Sequence, residues 1–86
     1  MKKFYSKVIV KMKPTVKDVK CQTLKQAVES YMPIKNLSCE VGNVYFLEFE
    51  ANSEGEALNA VNKMAQDILS NDVIETYEIK ALEEIY

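Results

Sequence analysis

The segment SEGEALNAVNKMAQDIL, residues 53–69, gives the clearest structural signal in the chain. Ser53, followed three positions later by Glu56, forms a capping box, in which the two side chains satisfy backbone N–H groups at a helix N-terminus. Behind this box the apolar residues recur with helical period and form one stripe: Ala57, Leu58, Val61, Met64, Ala65, Ile68 and Leu69. A helix with a single apolar stripe must pack on another layer, so a two-layer domain is expected.

The sequence on either side of this helix has strand character. Residues 70–72 (Ser-Asn-Asp) are predicted to end the helix and to lead into a last strand, from Val73 to about Ala81. Residues 82–86 are expected to be a short tail that frays or docks on a neighbour. Upstream, residues 37–41 and 44–50 both resemble strands, and the Gly42-Asn43 pair between them predicts a tight hairpin turn.

The N-terminal third predicts a strand and a first helix. Residues 4–12 alternate, so one face of the strand carries Phe4, Ser6, Val8, Val10 and Met12, and the other carries Tyr5, Lys7, Ile9 and Lys11. Asp18 is the predicted N-cap of the first helix, which Met32-Pro33 should end. The spacing indicates these core-facing side chains on that helix: Cys21, Leu24, Val28 and Tyr31.

The predicted order β-α-β-β-α-β indicates a single two-layer α+β domain over residues 1–86, with an antiparallel-rich sheet and both helices on one face. The other face is not very polar, and no residues are left to cover it, so oligomerisation is expected. Candidates for sheet-to-sheet contact between chains are Tyr5, Ile9, Tyr45 and Leu47. The apolar run around Tyr45 is ambiguous in phase, so burial under the chain's own helices fits Tyr45 and Leu47 equally well.

The composition excludes several kinds of catalytic site. The 86 residues contain no His and no Arg. A Ser-His or Cys-His nucleophile is therefore excluded, as is bidentate recognition of a carboxylate or phosphate by Arg. Cys21 and Cys39 lie eighteen positions apart and make no close-spaced redox or metal pair, so both are expected to be small core residues.

The charges are unevenly distributed along the chain. Residues 1–25 hold eight lysines and one acid, whereas residues 26–86 hold three lysines and twelve acids. Such asymmetry can mark a nucleic-acid surface, but in a small domain it more often means that the two halves face each other or a complementary subunit. No apolar run resembles a signal peptide or a membrane span, so a cytoplasmic protein without a membrane partner is expected.

Several strings resemble the PurS family, the small subunit of phosphoribosylformylglycinamidine synthase, over nearly the whole chain. The most specific is ILSNDVIETYEI, residues 68–79, and a second is VIVKMKP, residues 8–14. A third is Val41-Gly42 together with the helix entry EGEAL, residues 54–58.

This chain also departs from the family pattern at particular positions. Thr15, Val19 and Cys21 stand where the family usually has glycine, proline and glycine, and Asp72 replaces a proline. Glu40 and Asn43 stand where the family tends to carry Arg and Lys. If the tip of the predicted hairpin at Gly42-Asn43 contacts a larger subunit, the loss of positive charge there implies either a changed partner or an altered contact.

The resemblance implies a non-catalytic assembly subunit. Small-subunit dimers of the family bridge a large ATP-dependent synthase subunit and a glutaminase subunit, and help ammonia to pass between them. The implied partners are therefore further copies of this chain and those two subunits; the complex uses ATP and Mg, neither of which this chain is expected to bind. The candidate interface residues are Tyr5, Lys7, Ile9, Lys11, Gly42, Asn43, Tyr45, Asn71, Asp72 and Ile74.

Two other functions fit a domain of this size. A small regulatory domain that binds an amino acid at a dimer interface has the same order of elements, but usually more glycine in its loops. A ferredoxin-like nucleic-acid-binding sheet would need exposed aromatic residues beside basic ones, and the first strand offers only Tyr5 next to Lys7 and Lys11.

Overall fold

The computed structural model describes residues 1–16 and 19–85. Its helices and strands follow one another as strand β1 (Lys2–Met12), helix α1 (Val19–Tyr31), strand β2 (Gly42–Ala51), helix α2 (Glu54–Met64) and strand β3 (Glu75–Ile85). A π-helical segment, Ala65–Leu69, extends α2. The strands form one antiparallel sheet in the order β2-β1-β3. The α+β class, the antiparallel sheet and the two helices are as predicted.

The sheet is built on β1, whose predicted alternation is confirmed. Phe4, Ser6, Val8 and Val10 are buried, while the residues between them are half-buried on the other face. Two buried clusters lie under α2, and each joins strand residues to the apolar stripe of the helix. One contains Val8, Val10, Val61 and Ala65, and the other contains Phe4, Ala51 and Ala57.

Helix α2 begins at the predicted N-cap, Ser53, but the return bond of the capping box goes to Asn52, whose backbone N–H donates to the Glu56 carboxylate at 3.5 Å. The Ser53 hydroxyl accepts a hydrogen bond from the backbone N–H of Glu56 at 3.2 Å. The Glu56 carboxylate in turn accepts from the side-chain amide of Asn52 at 3.3 Å. At the β3 edge of the sheet, the Tyr77 hydroxyl donates to the Asn62 side chain at 3.2 Å. A hydrogen bond therefore joins β3 to α2 in addition to apolar packing.

The predicted hairpin at Gly42-Asn43 is wrong. Both residues belong to β2, where Gly42 pairs with Lys11 and Asn43 with Val10. Residues 37–41 form no strand, although Leu37 and Cys39 are half-buried between exposed neighbours as their alternation suggests. A strand also needs a neighbouring strand with which its backbone can form hydrogen bonds. Residues 37–41 are not paired in the sheet, so they connect α1 to β2 and do not add a fourth strand.

Helix α1 ends at Tyr31, as the following Met32-Pro33 predicts, but its apolar residues do not form the predicted core stripe. Cys21 is its one buried residue, whereas Leu24 is 49% and Tyr31 is 87% exposed. The helix makes hardly any contact with the sheet. The assignment of Leu24 and Tyr31 to the core of this chain is therefore wrong. The predicted N-cap Asp18 lies outside the described residues.

Strand β3 starts later and ends later than predicted. It runs from Glu75 to Ile85, with Leu82 opposite Ser6 and Ile85 opposite Lys3. Residues 82–85 are thus paired with β1 instead of forming a frayed tail, and residue 86 lies outside the described part. The ladder is irregular between Lys7 and Val8, and there the Ser6 hydroxyl donates to the backbone oxygen of Ala81 at 2.8 Å.

The molecule is elongated, measuring 53 × 28 × 13 Å. Its radius of gyration is 16.9 Å, whereas a compact domain of this length would have a value of roughly 12 Å. No helix within residues 1–16 and 19–85 is long and apolar enough to span a membrane.

Candidate functional site

The face of the sheet opposite α2, called here the open face, carries the first group of predicted interface residues. Tyr5, Lys7, Ile9 and Lys11 form its central row on β1 and are half-buried. Directly opposed residues of antiparallel strands lie on the same face, so the ladder register identifies their neighbours. On β2 these include Phe46 opposite Lys7 and Val44 opposite Ile9; on β3 they include Glu78 opposite Ile9.

The most exposed aromatic side chain of the open face was missed by the sequence analysis. Phe46 is 67% and Val44 is 44% exposed. Tyr45 and Leu47 instead lie on the α2 face and pack against the Val8 cluster, so burial under the chain's own helix is the interpretation that holds for them. Glu48 could have indicated which side chains of β2 are exposed. Residues 46 and 48 lie on the same face of a strand, so a strand that turns Glu48 to solvent also turns Phe46 to solvent.

Two of the four lysines of β1 lie close to acidic side chains of the neighbouring strands. Lys3 lies 3.8 Å from Glu48 on β2, and Lys2 lies 3.7 Å from Glu84 on β3. In these pairs lysines of the basic N-terminal part of the chain meet acids of the acidic part, which is one of the two arrangements expected from the charge distribution. Since all four side chains are partly exposed, the pairs contribute little stability, but they offset the positive charge of β1.

One end of the sheet, called here the Lys11 end, is formed by Lys11, Lys13, Glu40, Gly42 and residues 71–74. The Lys11 ammonium contacts the Glu40 carboxylate at 2.9 Å. This hydrogen bond, followed by the attraction of the two charges, raises the pKa of Lys11, and slight desolvation opposes the shift. Glu40 was predicted to make the tip of a hairpin negative; in the structure its charge is paired with Lys11.

The turn over residues 71–74 is organised by Asn71, which confirms the structural role expected for it. The Asn71 side-chain oxygen accepts from the Val73 N–H at 3.1 Å, and its backbone oxygen accepts from the Glu75 N–H at 2.7 Å. Lys13 fastens this turn to β1. Its backbone N–H donates to the Ile74 carbonyl at 2.9 Å, and its ammonium donates to the Asp72 carbonyl at 2.6 Å.

The structure therefore separates the ten predicted interface residues into three places. Lys11, Gly42 and Asn43 lie near the 71–74 turn, which adds Asn71, Asp72 and Ile74 at the same end of the sheet. Tyr5 lies toward the opposite end of β1, where it pairs with Glu48 and Glu83. Lys7 and Ile9 connect these ends along the open face, whereas Tyr45 and Asn43 lie on the α2 face, opposite Val8 and Val10.

The two cysteines were predicted to be small core residues, and Cys21 is buried while Cys39 is half-buried; although distant in sequence, they are close in space. The Cys39 thiol donates to the Cys21 sulfur across 3.1 Å, and no disulfide joins them. They lie in the wall of a cavity of about 350 Å³ at the Lys11 end, between α1, β1 and residues 38–41. Sequence spacing could not reveal this contact, because it depends on the path of the chain between residues 31 and 42.

Within residues 1–16 and 19–85, no group of three or more Cys, Asp or Glu side chains is placed to hold a metal ion. A second cavity, of about 510 Å³, is a shallow cleft on the open face beside Ile9, Lys11 and Glu78. Its lining combines apolar side chains, such as Ile9 and Val41, with the charged side chains of Glu40 and Lys80.

Comparison with known proteins places this arrangement in a family. The family model "PurS: Phosphoribosylformylglycinamidine (FGAM) synthase" matches residues 5–83. The phosphoribosylformylglycinamidine synthase subunit PurS of Thermotoga maritima is 31% identical over 75 residues, which cover 85% of this chain and 89% of that protein.

Solved structures agree with the sequence match. A chain in the structure of PurLQS from Thermotoga maritima superposes with a TM-score of 0.82 and 25% identity, covering 99% of this chain and 100% of that one. PurS of B. subtilis gives a TM-score of 0.79 and 26% identity, covering 94% and 99%. On the family model and the identity to the Thermotoga protein, this chain belongs to the PurS family, the small subunit of phosphoribosylformylglycinamidine synthase.

Proposed function

We propose that this chain is the non-catalytic assembly subunit of a phosphoribosylformylglycinamidine synthase, bridging an ATP-dependent synthase subunit and a glutaminase subunit. The family match over residues 5–83 carries the proposal. The similarly folded Thermotoga chain comes from a PurLQS structure, which supports association with larger subunits. The described surfaces fit such a role, because they present contact area and no nucleophile paired with a base.

The reaction of the complex belongs to its larger subunits in this proposal. Formylglycinamide ribonucleotide, ATP and glutamine become formylglycinamidine ribonucleotide, ADP, phosphate and glutamate in de novo purine synthesis. ATP and Mg²⁺ are used by the complex, and this chain binds neither. Its contribution is to hold the two larger subunits in register, so that ammonia released by one reaches the other without escaping into water.

The open face and the Lys11 end have different roles in this proposal. The open face exposes Phe46 and Val44 on an edge strand, a combination that favours self-association. The Lys11 end carries charged side chains beside the exposed apolar side chains of Val73 and Ile74, and its 71–74 turn is tied to the end of β1 through Lys13. A surface already held in one shape loses little entropy on docking, so this end suits contact with a larger subunit.

The proposal is tested by reconstitution with the synthase and glutaminase subunits from the same cell. ADP production is measured with glutamine as nitrogen donor, with and without this chain, beside a reaction fed with free ammonia. The chain is expected to be required with glutamine and much less so with ammonia. If neither rate depends on the chain and no complex forms on a sizing column, the bridging role is wrong and amino-acid binding becomes the function to examine.

A matched pair of substitutions tests the Lys11 end. Asp72 and Asp67 are both exposed acids, but only Asp72 lies in the 71–74 turn. Asp72→Ala is expected to raise the concentration of this chain needed for half-maximal glutamine-dependent activity by roughly fivefold, the loss of one modest contact. Asp67→Ala should leave that concentration unchanged. Equal behaviour of the two variants would place the docking surface elsewhere.

A further inference from the structure

Helix α1 meets the segment before β2 at a contact between two sulfur atoms. Cys21 is the one buried residue of this helix, at 8% exposure, and it lies against the thiol of Cys39. The longer apolar side chains of the helix do not replace this anchor, since Leu24 and Tyr31 are exposed. A covalent bond between the two sulfurs would therefore fasten α1 more firmly than this contact does.

The distance between the sulfurs is close to that of a covalent bond. They lie 3.1 Å apart, and a disulfide bond is about 2.05 Å long, so closing it requires a total movement of roughly 1 Å. Such a movement is within the range of small rotations of two side chains. The residues lie eighteen positions apart in sequence, so the bond would close a loop that contains most of α1.

The two thiols differ in access. Cys39 is half-buried and lines the cavity of about 350 Å³, together with Lys11, Lys13 and Lys25. Cys21 lines the same cavity but is itself buried. A small oxidant entering from solvent therefore meets Cys39 first, and Cys21 is the neighbouring thiol that can complete the reaction.

We propose that Cys21 and Cys39 form a reversible redox site whose oxidant is a hydroperoxide. The Cys39 sulfur attacks one peroxide oxygen and breaks the O–O bond, which gives a sulfenic acid and releases water or an alcohol. The Cys21 sulfur then attacks the sulfenic sulfur, and the hydroxyl leaves as water with the second thiol proton. Two thiols lose two electrons to the peroxide, and a dithiol reductant reverses the change.

The disulfide fastens α1 to the segment before β2. A bond closing a loop of this length removes loop entropy from the detached state of the helix, and should lower the population of that state by on the order of tenfold to hundredfold. The consequence is a chain whose first helix is loosely attached when reduced and fixed when oxidised. This effect does not depend on the proposed bridging function, because it is a property of the chain itself.

The experiment uses the reduced full-length protein, freed of reductant and treated with hydrogen peroxide. Intact mass should fall by two hydrogen atoms, a digest should contain a peptide joining residues 21 and 39, and dithiothreitol should reverse both changes. Hydrogen exchange of α1 amides should slow by on the order of tenfold to hundredfold in the oxidised form. Bonds between chains, or no bond at all, would overturn the proposal.

Single and paired variants assign the roles of the two thiols. Cys21→Ser should accumulate a sulfenic acid on Cys39 that dimedone traps, whereas Cys39→Ser should react slowly, because its remaining thiol is buried. Cys39→Ser combined with Ser38→Cys keeps two thiols but moves one to an exposed neighbouring position, and should form no internal disulfide. Equal disulfide formation in this shifted variant would show that the 3.1 Å contact has no special role.

Discussion

Gly42 illustrates how one residue was predicted to be important for the wrong reason. It is not in a turn, and no described glycine has a positive φ. Its importance comes from the close approach of β2 to β1, since a Cβ atom at this position would lie 2.6 Å from the backbone oxygen of Val10. Because the obstructing atom belongs to the backbone of the central strand, it cannot move aside without disturbing the ladder.

Gly42→Ala is therefore expected to destabilise the protein by about 1–3 kcal/mol, the usual cost of inserting a methyl group into occupied space. Urea unfolding at a fixed protein concentration measures this change. Gly55→Ala is the matched control, because no atom lies within 4 Å of the added Cβ. This control lies in the first turn of α2 and should range from neutral to about 1 kcal/mol stabilising. A Gly42 variant as stable as the control would refute the close approach.

Lys11 and Glu40 supply a second prediction at the residue scale. The Glu40 carboxylate raises the pKa of Lys11, so the pair stabilises the fold while Lys11 is charged and ceases to do so as pH rises through that raised pKa. Glu40→Gln should bring the pKa of Lys11 back toward its ordinary value, as followed by an NMR titration of the lysine side chain. Glu84→Gln, which removes the partner of Lys2 instead, should leave the Lys11 titration in place. A Lys11 pKa unaffected by Glu40→Gln would mean that another group causes the shift.

At the scale of elements, α2 and the segment that extends it bury Ala57, Val61 and Ala65 as predicted, whereas Leu58 and Ile68 of the predicted stripe are exposed. Ser53→Ala removes the hydroxyl that accepts from the Glu56 N–H, and should cost about 1 kcal/mol of stability. Ser53→Asp restores an acceptor at the cap, and its negative charge also suits a helix N-terminus, so it should recover most of this loss. Thermal unfolding of the three proteins checks both expectations. An aspartate variant as unstable as the alanine variant would show that the hydroxyl matters for another reason.

The elements that could be predicted from sequence are those whose signals are local. The N-cap at Ser53, the alternation along β1 and the stop at Met32-Pro33 all depend on neighbours within a few positions, and all are confirmed. The 37–41 segment also has the local pattern of a strand. A strand additionally needs a partner brought from elsewhere in the chain, and that requirement leaves no local trace.

The same limit explains what was missed at the candidate site. The apolar spacing of α1 is a helical pattern, and a helix is present, but a pattern cannot tell which molecule the helix packs against. The contact between Cys21 and Cys39 likewise depends on the path between two elements. By contrast, the shared face of Tyr5, Lys7 and Ile9 was predicted correctly from the alternation along β1, but their neighbours on β2 and β3 depend on the ladder register and were not.

At the scale of the whole molecule, the chain is less compact than a single domain of its length usually is. The buried apolar side chains of the described part are mostly small, and Phe4 is the one aromatic among them. The radius of gyration of 16.9 Å exceeds by roughly 5 Å the value of a compact chain of this length. Small domains with a limited core are commonly stabilised by association, and the open face and both sheet edges supply surfaces for it.

The chain is therefore expected to form a homo-oligomer through the open face, with Phe46 near the centre of the contact. Burying one such side chain is worth about 1.5–3 kcal/mol, and a symmetric contact would include at least two copies of it. Phe46→Glu should shift the mass measured by light scattering toward the monomer at micromolar concentration. Ile68→Glu is the matched control. Ile68 is similarly exposed, at 77% against 67% for Phe46, but it lies in the segment that extends α2 and not on the open face. A wild-type protein that stays monomeric at every concentration would refute oligomerisation itself. An oligomer that dissociates in the Ile68→Glu variant but not in the Phe46→Glu variant would place the contact on the helical side of the sheet.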